Sequence, residues 1–379
     1  MPTDLIIVFC TSMLGAWFGQ AVPSKRRNAL GKMKPNILGF IIPATIMILY
    51  SGLRNNIGDT VYYVHSYNLL EEGGAVMPKW GDKAFLFEML QYLLIKSGAD
   101  YSALIMIATI VTIIPFMWVF YNYSVDYSIT IYIFFTMGIY VSTMNGIRQY
   151  IATGIILIGT KYLFSPKKSD FWKLLVLIFI ASLFHDSAWI MVVVYFLCRR
   201  KAWSAPTFFS LIAGVAGLML ISMFLPSFLT MLEDTNYSDY ADGWFTDGQE
   251  KGTSLMRVIF NCMPTILAAL FSKQIKQFGP VSDILINISL VHSAIYILAL
   301  YNWIFARFAF YTYAYVILLM ALVFVAVLRS GKYRFFAIVL FAAYAVFFII
   351  DARSQRMNWY DSDFFTPHNN MWFKFLYLS

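Results

Sequence analysis

The 379-residue sequence predicts an all-α fold, a polytopic bundle of transmembrane helices. Three observations carry this. Hydrophobic residues make up 60% of the chain and charged residues only 13%, where soluble domains carry about 25% charge. The apolar residues gather into long runs. At about 20–30 residues per spanning helix and its turn, a chain of this length holds roughly 10–14 spans. A water-soluble enzyme, a secreted disulfide scaffold and a disordered chain are excluded by the same numbers.

The runs lie near 4–22, 36–53, 101–121, 128–146, 149–164, 171–198, 205–226, 255–272, 281–301, 308–328 and 335–350. The first is expected to be a span with its N-terminus outside rather than a cleavable leader, because the basic cluster follows the apolar stretch instead of preceding it. The run 171–198 has two readings. Lys167, Lys168 and Lys173 precede it, Arg199, Arg200 and Lys201 follow it, and His185-Asp186 stands in its middle. A single span would put the two basic clusters on opposite sides. A hairpin turning at His185-Asp186 keeps both inside, and the inner segments then hold 17 of the 28 Lys and Arg but 3 of the 20 Asp and Glu. The positive-inside rule selects the hairpin. Its arms of about 13–14 residues are short for a hydrocarbon core of about 30 Å, so a short or re-entrant pair shielded by protein is expected.

The expected architecture is therefore about 12 spans with both termini outside, in one integral membrane domain over residues 1–379. Outer loops cover 54–100 and 227–254, and an outer tail covers 351–379. The loop 54–100 contains a helix candidate at 84–95, too short to span and apolar except for Glu88 and Gln91. The loop 227–254 is acidic and rich in turn residues. Cys10, Cys198 and Cys262 fall inside apolar runs, which indicates no disulfide or metal framework. Neither a metal nor a cofactor is expected. The formal charge of +8 is an orientation signal, not a mark of nucleic-acid binding.

Four motifs carry chemistry, and all fall at the predicted outer face. In GLRNNIGDT (52–60), Arg54 stands where the second span leaves the membrane, and Gly58-Asp59 supplies turn chemistry. In MNGIRQYIATG (144–154), a helix over 145–152 would place Asn145, Arg148, Gln149 and Ala152 on one face. A polar stripe of that kind inside a bundle is costly and points to function. ASLFHDSAW (181–189) puts His185 at the hairpin apex beside Asp186 and Ser187. NWIFARFAFY (302–311) puts Arg307 at the outer end of a span, and Arg257 holds a similar position after the acidic loop. Arginines at outer span ends run against the topological bias. Their planar forks suit phosphate or carboxylate, so the implied ligand is an anionic group at the outer leaflet, such as a lipid pyrophosphate. His292, in a later span, reads as a hydrogen-bonded core residue.

Taken in order, GLRNNIGDTVYYVHSY (52–67), STMNGIRQYIA (142–152), FHDSA (184–188), RRKAW (199–203) and ARFAFY (306–311) resemble the EpsG family of exopolysaccharide polymerases, relatives of the Wzy-type polymerases, over about residues 50–330. The resemblance implies a metal-independent, GT-C-like glycosyltransferase of the cytoplasmic membrane. Such an enzyme joins undecaprenyl-pyrophosphate-linked repeat units at the outer face during exopolysaccharide and biofilm matrix synthesis. Its implied partners are the lipid-linked oligosaccharide donor and acceptor, membrane lipids, and flippase and chain-length regulator proteins; nucleic acid is not among them. The carry-over by motif position is Arg148 with Gln149, Arg54 and His185, extending to Asp59 and Arg307. A pyrophosphate leaving group is already acidic, so its departure needs charge stabilisation more than a proton. The acceptor hydroxyl needs a base, for which His185, Asp59 and Asp186 are candidates. The expected site thus has His185, Arg148 and Asp59 in catalysis, and Arg54, Gln149, Asn145, Arg307 and Arg257 on the pyrophosphate or glycan.

Three other functions compete. A lipid-linked sugar flippase predicts basic residues at mid-membrane and an internal repeat, and the sequence has neither. An outer-face acyltransferase built on His185 leaves the four outer arginines unexplained. A structural or assembly role predicts that substituting those arginines alters partner binding but not glycan length.

Overall fold

The computed structural model describes residues 3–209, 212, 216 and 252–362. Among these the fold is helical, and β pairing is limited to two isolated bridges, Arg27 with Met33 and Arg54 with Ser362. The helices are α1 (Thr3–Ala21), α2 (Ile37–Gly52), α3 (Thr60–Glu72), α4 (Phe85–Lys96), α5 (Tyr101–Tyr123), α6 (Tyr127–Thr136), α7 (Ile139–Ser142), α8 (Ile147–Ile158), α9 (Thr160–Leu163), α10 (Asp170–Ser182), α11 (Ile190–Cys198), α12 (Leu255–Leu270), α13 (Ser272–Lys276), α14 (Pro280–Leu298), α15 (Tyr313–Arg329) and α16 (Arg334–Ser354). Short 3-10 segments cover Asp186–Trp189, Trp303–Tyr311 and Met357–Trp359. The chain forms two compact units, one comprising Met1–Val192 and Met320–Ser379, the other Val193–Leu319.

Four helices (α1, α5, α14 and α16) are long and apolar enough to cross a membrane. The 3-10 segment Trp303–Tyr311 and α15 make a fifth candidate, bent by 75°. Five shorter apolar helices accompany them: Ile37–Gly52, Tyr127–Thr136, Ile147–Ile158, Asp186–Cys198 and Leu255–Leu270. The described helices thus give four or five candidate spans where the sequence predicts about twelve; that count would also need the five shorter helices, the hairpin arm α10 and the 205–226 run. Most of that run lies outside the described residues, as do most of the loop 227–254 and the tail beyond Ser362. Two runs expected to be continuous are broken at glycine. Run 128–146 divides at Gly138 (φ +73°), where a Cβ would meet Asp351 Oδ2 at 2.3 Å. Run 149–164 divides at Gly159, between α8 and α9.

Close approach explains much of the first unit. A Cβ on Gly19 would lie 2.4 Å from Gly39 Cα, and one on Gly154 only 2.1 Å from the Val111 carbonyl oxygen. Small residues let α1 meet α2 and α8 meet α5 backbone to backbone, the route to tight packing where lipid supplies no hydrophobic drive. Polar caps set the helix starts. Asn36 accepts from Leu38 N–H, Asp100 from Ser102 N–H and Asp126 from Ile129 N–H.

The loops of this unit gather at two ends. At one end the basic loop 23–36 docks on the turn between α5 and α6. Ala29 N–H donates to Asn122 O (3.0 Å), Asn28 Nδ2 to Ser124 O (2.7 Å) and Lys34 Nζ to Asn122 Oδ1 (2.6 Å). At the other end lie the loop after α2, the turn between α7 and α8, and the break after α10. The helix expected at 84–95 is α4. It packs with α3 against α5 at this second end, and its Leu86 N–H donates to Leu183 O at 3.0 Å.

Candidate functional site

The two motifs around Arg54 and Arg148 lock onto each other. Ile57 (φ +75°) and Gly58 (φ +58°) are both left-handed, a conformation that is costly for a β-branched residue. The tight turn brings Gly58 against Asn145, so close that a Cβ there would lie 1.9 Å from Asn145 Oδ1. Asn145 Oδ1 accepts from Asp59 N–H (3.1 Å), and Asp59 Oδ2 accepts from Gly146 N–H (2.9 Å). Asn145 is therefore not on a helical face with Arg148, as a helix over 145–152 would have it. Gly146 is left-handed (φ +58°) and α8 begins only at Ile147. Asp59 sits at the N-cap position of α3, yet its carboxylate reaches across to the second motif and makes no cap bond.

Arg54 is 3% exposed. Its Nε donates to Thr60 Oγ1 (2.8 Å), its Nη1 to Ser51 O and Thr109 Oγ1 (3.3 Å), and its Nη2 to Met144 O (3.3 Å). Burial pushes its pKa down to about 10, so it stays cationic at neutral pH. The start of the C-terminal tail closes over this point. The Tyr360 ring stacks on Tyr50 at 4.1 Å, and Tyr360 OH donates to Tyr50 O. Asn56 donates to Trp359 O (2.6 Å) and accepts from Asp361 N–H (2.8 Å).

Adjacent residues of α8 point to different places because successive side chains diverge by about 100° around a helix. Gln149 is 1% exposed, and its Nε2 donates to Ser187 Oγ at 3.0 Å. Ser187 Oγ lies 2.7 Å from His185 Nδ1, which also receives the Ser187 N–H at 3.3 Å. An imidazole that accepts at Nδ1 carries its proton on Nε2. Neutral His185 is thus a donor on its other side, and the His185–Ser187–Gln149 chain ties the break after α10 to α8. Asp186 is exposed.

Arg148 turns instead into a cavity of about 590 Å³. Tyr62 and Tyr63 of α3, Glu88, Gln91 and Tyr92 of α4, and Lys79 and Asp82 of the connecting loop share its wall. The Arg148 guanidinium lies 5.9 Å from the Phe87 ring centroid and hydrogen-bonds Tyr63. Beneath is an apolar cluster that includes Tyr67, Phe87, Leu104, Ile105, Ile147 and Ile151. Burial holds the Glu88 carboxyl above the usual carboxylate range; the Asp82 charge adds to this and Arg148 opposes it. Of the residues expected from sequence, Arg148 lines this cavity, whereas Arg54, Asp59, Asn145, Gln149 and His185 are not among its lining residues. Glu88, Gln91 and Tyr92 were missed. Their signal is a polar stripe at i, i+3 and i+4 in an otherwise apolar helix.

Arg257 and Arg307 belong to the second unit. Arg257 lies in the first turn of α12, its N–H near Ser254 Oγ at 3.4 Å. Arg307 is not at the start of a long helix; it sits in the 3-10 segment, 5.1 Å from the Trp303 ring centroid. In the same unit His292 is fully buried, with Nδ1 2.8 Å from Thr312 Oγ1 and Nε2 3.2 Å from Asn261 Oδ1. Among the described residues no group of three His, Cys, Asp or Glu side chains is arranged to hold a metal ion.

The model of the EpsG family matches residues 37–370, wider than the stretch of about 50–330 over which the motifs resemble it. No curated protein and no solved structure matches the chain.

Proposed function

The chain belongs to the EpsG family, a Wzy-like polymerase family of membrane proteins, and from this membership we propose that it polymerises lipid-linked oligosaccharide repeat units at the outer face of the cytoplasmic membrane. The single observation that carries the reading is Arg148, a cation projecting into a cavity walled by tyrosines and carboxylates. The donor is an undecaprenyl-pyrophosphate-linked glycan with its phosphates against Arg148. A guanidinium already held in place stabilises charge developing on the departing pyrophosphate oxygen without reorganising. Tyrosine rings offer flat faces to sugar rings. The product serves exopolysaccharide and biofilm matrix synthesis.

Orientation supports the same reading. The cavity lies at the end of the first unit opposite the basic loop 23–36, and loops rich in Lys and Arg face the cytoplasm. The cavity then opens outward, in keeping with about twelve spans and both termini outside. Arg54, Asp59 and Asn145 hold the loops that frame the cavity. His185 and Gln149 fix α8, and Arg257 and Arg307 are proposed as glycan or pyrophosphate contacts by motif position alone.

The test is reconstitution of the purified protein with lipid-linked repeat units. Wild type forms a ladder of polymer. Arg148→Ala, at normal protein level, leaves single repeats on lipid. A normal ladder from Arg148→Ala overturns the assignment, and repeats trapped on the inner leaflet of cells lacking the protein would identify a flippase instead.

A further inference from the structure

Helix α4 reads FLFEMLQYLLIK, and its polar residues fall on one stripe. Glu88, Gln91, Tyr92 and Ile95 stand at i, i+3, i+4 and i+7, and all four line the cavity that Arg148 enters. Gln91 is the informative member. It is 4% exposed, and its Nε2 has no hydrogen-bond partner among the described residues. A buried amide N–H left unmatched costs stability, so one retained in a cavity wall marks where a ligand acceptor fits. Its neighbours narrow the ligand's chemistry. A carboxylate and an amide bind neutral hydroxyls, and Tyr62, Tyr63 and Tyr92 line the same cavity. Glu88 and Asp82 disfavour a second anion beside the one Arg148 attracts.

We propose that the Glu88–Gln91–Tyr92 wall is the acceptor-sugar subsite, where Gln91 holds a hydroxyl of an uncharged sugar ring and Glu88 takes the proton of the attacking hydroxyl. This rests on the polymerase reading above. The acceptor oxygen forms a bond to the donor's anomeric carbon as the bond from that carbon to the pyrophosphate oxygen breaks. The bonding pair leaves on the pyrophosphate, whose charge Arg148 offsets, and the hydroxyl proton passes to the Glu88 carboxylate and then to water. The partly desolvated Glu88 suits this work, because a base whose proton affinity is raised toward the working pH transfers protons better. The charged and titratable groups around it are Asp82 and Lys79 of the loop, Arg148 of α8, Tyr62 and Tyr63 of α3, and Tyr92 on its own helix.

The full-length protein in nanodiscs provides the test. The two binding probes are the delipidated repeat-unit oligosaccharide and sugar-free undecaprenyl pyrophosphate. Gln91→Leu is expected to weaken oligosaccharide binding about 3–10-fold, the value of one hydrogen bond, with undecaprenyl pyrophosphate binding and thermal stability preserved. Glu88→Gln is expected to lower turnover by roughly 100-fold or more, leave both affinities within about twofold, and flatten the acidic limb of the pH profile. Wild-type turnover and binding in both variants overturn the subsite. So does a Gln91→Leu protein that melts earlier and loses both probes equally, since that is a structural role. A wild-type protein that binds the oligosaccharide through Gln91 but never polymerises lipid-linked repeats would overturn the polymerase reading while sustaining the subsite.

Discussion

Replacing Arg54 by methionine separates the two arginines of the paired motifs. Methionine keeps much of the buried stem volume and removes the fork of donors. Four acceptors then lose a charged partner: Thr60 Oγ1, Thr109 Oγ1, Ser51 O and Met144 O. A buried group left unsatisfied costs about 1–3 kcal/mol. The two threonine hydroxyls can rotate to other partners, which leaves the two carbonyls and a gross cost of roughly 2–6 kcal/mol. Relief from burying a cation offsets part of this. A net loss of about 1–4 kcal/mol is expected, a sizeable share of the 5–15 kcal/mol typical of a folded domain. The assay is the melting temperature and yield of the detergent-extracted protein, read beside polymer length. Arg54→Met should melt early and accumulate poorly, whereas Arg148→Ala should melt normally and make no polymer. An Arg54→Met protein with wild-type melting and yield but no polymer would refute this reasoning and place Arg54 on the substrate.

Other consequences follow from the same contacts. Gly58→Ala adds a left-handed strain of about 1 kcal/mol and drives a Cβ into Asn145 Oδ1. The double variant with Asn145→Ala should melt higher than the sum of the singles predicts, and strict additivity in a double-mutant cycle would deny the contact. Gly154→Ala meets the Val111 carbonyl, a backbone atom that cannot swing aside, and should cost roughly 1–3 kcal/mol; an unchanged melting temperature would contradict the α5–α8 packing. Tyr360→Ala removes a stacked ring and a hydrogen bond to Tyr50 O. It should lower the melting temperature by an amount equivalent to roughly 2–4 kcal/mol and leave the tail more open to protease. If Glu88 must be ionised to act, polymerisation rises as pH increases through its elevated pKa. A rate constant in pH from about 4 to 8 would exclude it as the base.

The motifs were legible because each has a local cause. Gly58-Asp59 marks a turn, and Arg148 is a cation that is costly to place inside a bundle. Three spacings misled. The stripe Asn145–Arg148–Gln149 presumed a helix that starts two residues later, because Gly146 takes a turn conformation that no hydrophobic pattern reveals. Arg307 appeared to open a span whose first part is 3-10 and bent away. Glu88 and Gln91 stood out only as polar breaks in an apolar helix, since spacing gives the face of a helix but not what that face meets.

By itself the sequence determined the membrane class, the all-helical architecture, the family and some of the residues that come together at one end of the first unit. The first two follow from composition and hydropathy, and the family from the resemblance of its ordered motifs, all of them local properties of the chain. The tertiary structure alone decided the division of labour among those residues. Arg54 and Arg148 are the same side chain in similar positions, yet one is enclosed by four internal acceptors and the other faces a cavity. That difference arises from contacts made by residues as distant as Thr109 and Met144, and no periodicity in the chain encodes how far an arginine's donors are already engaged.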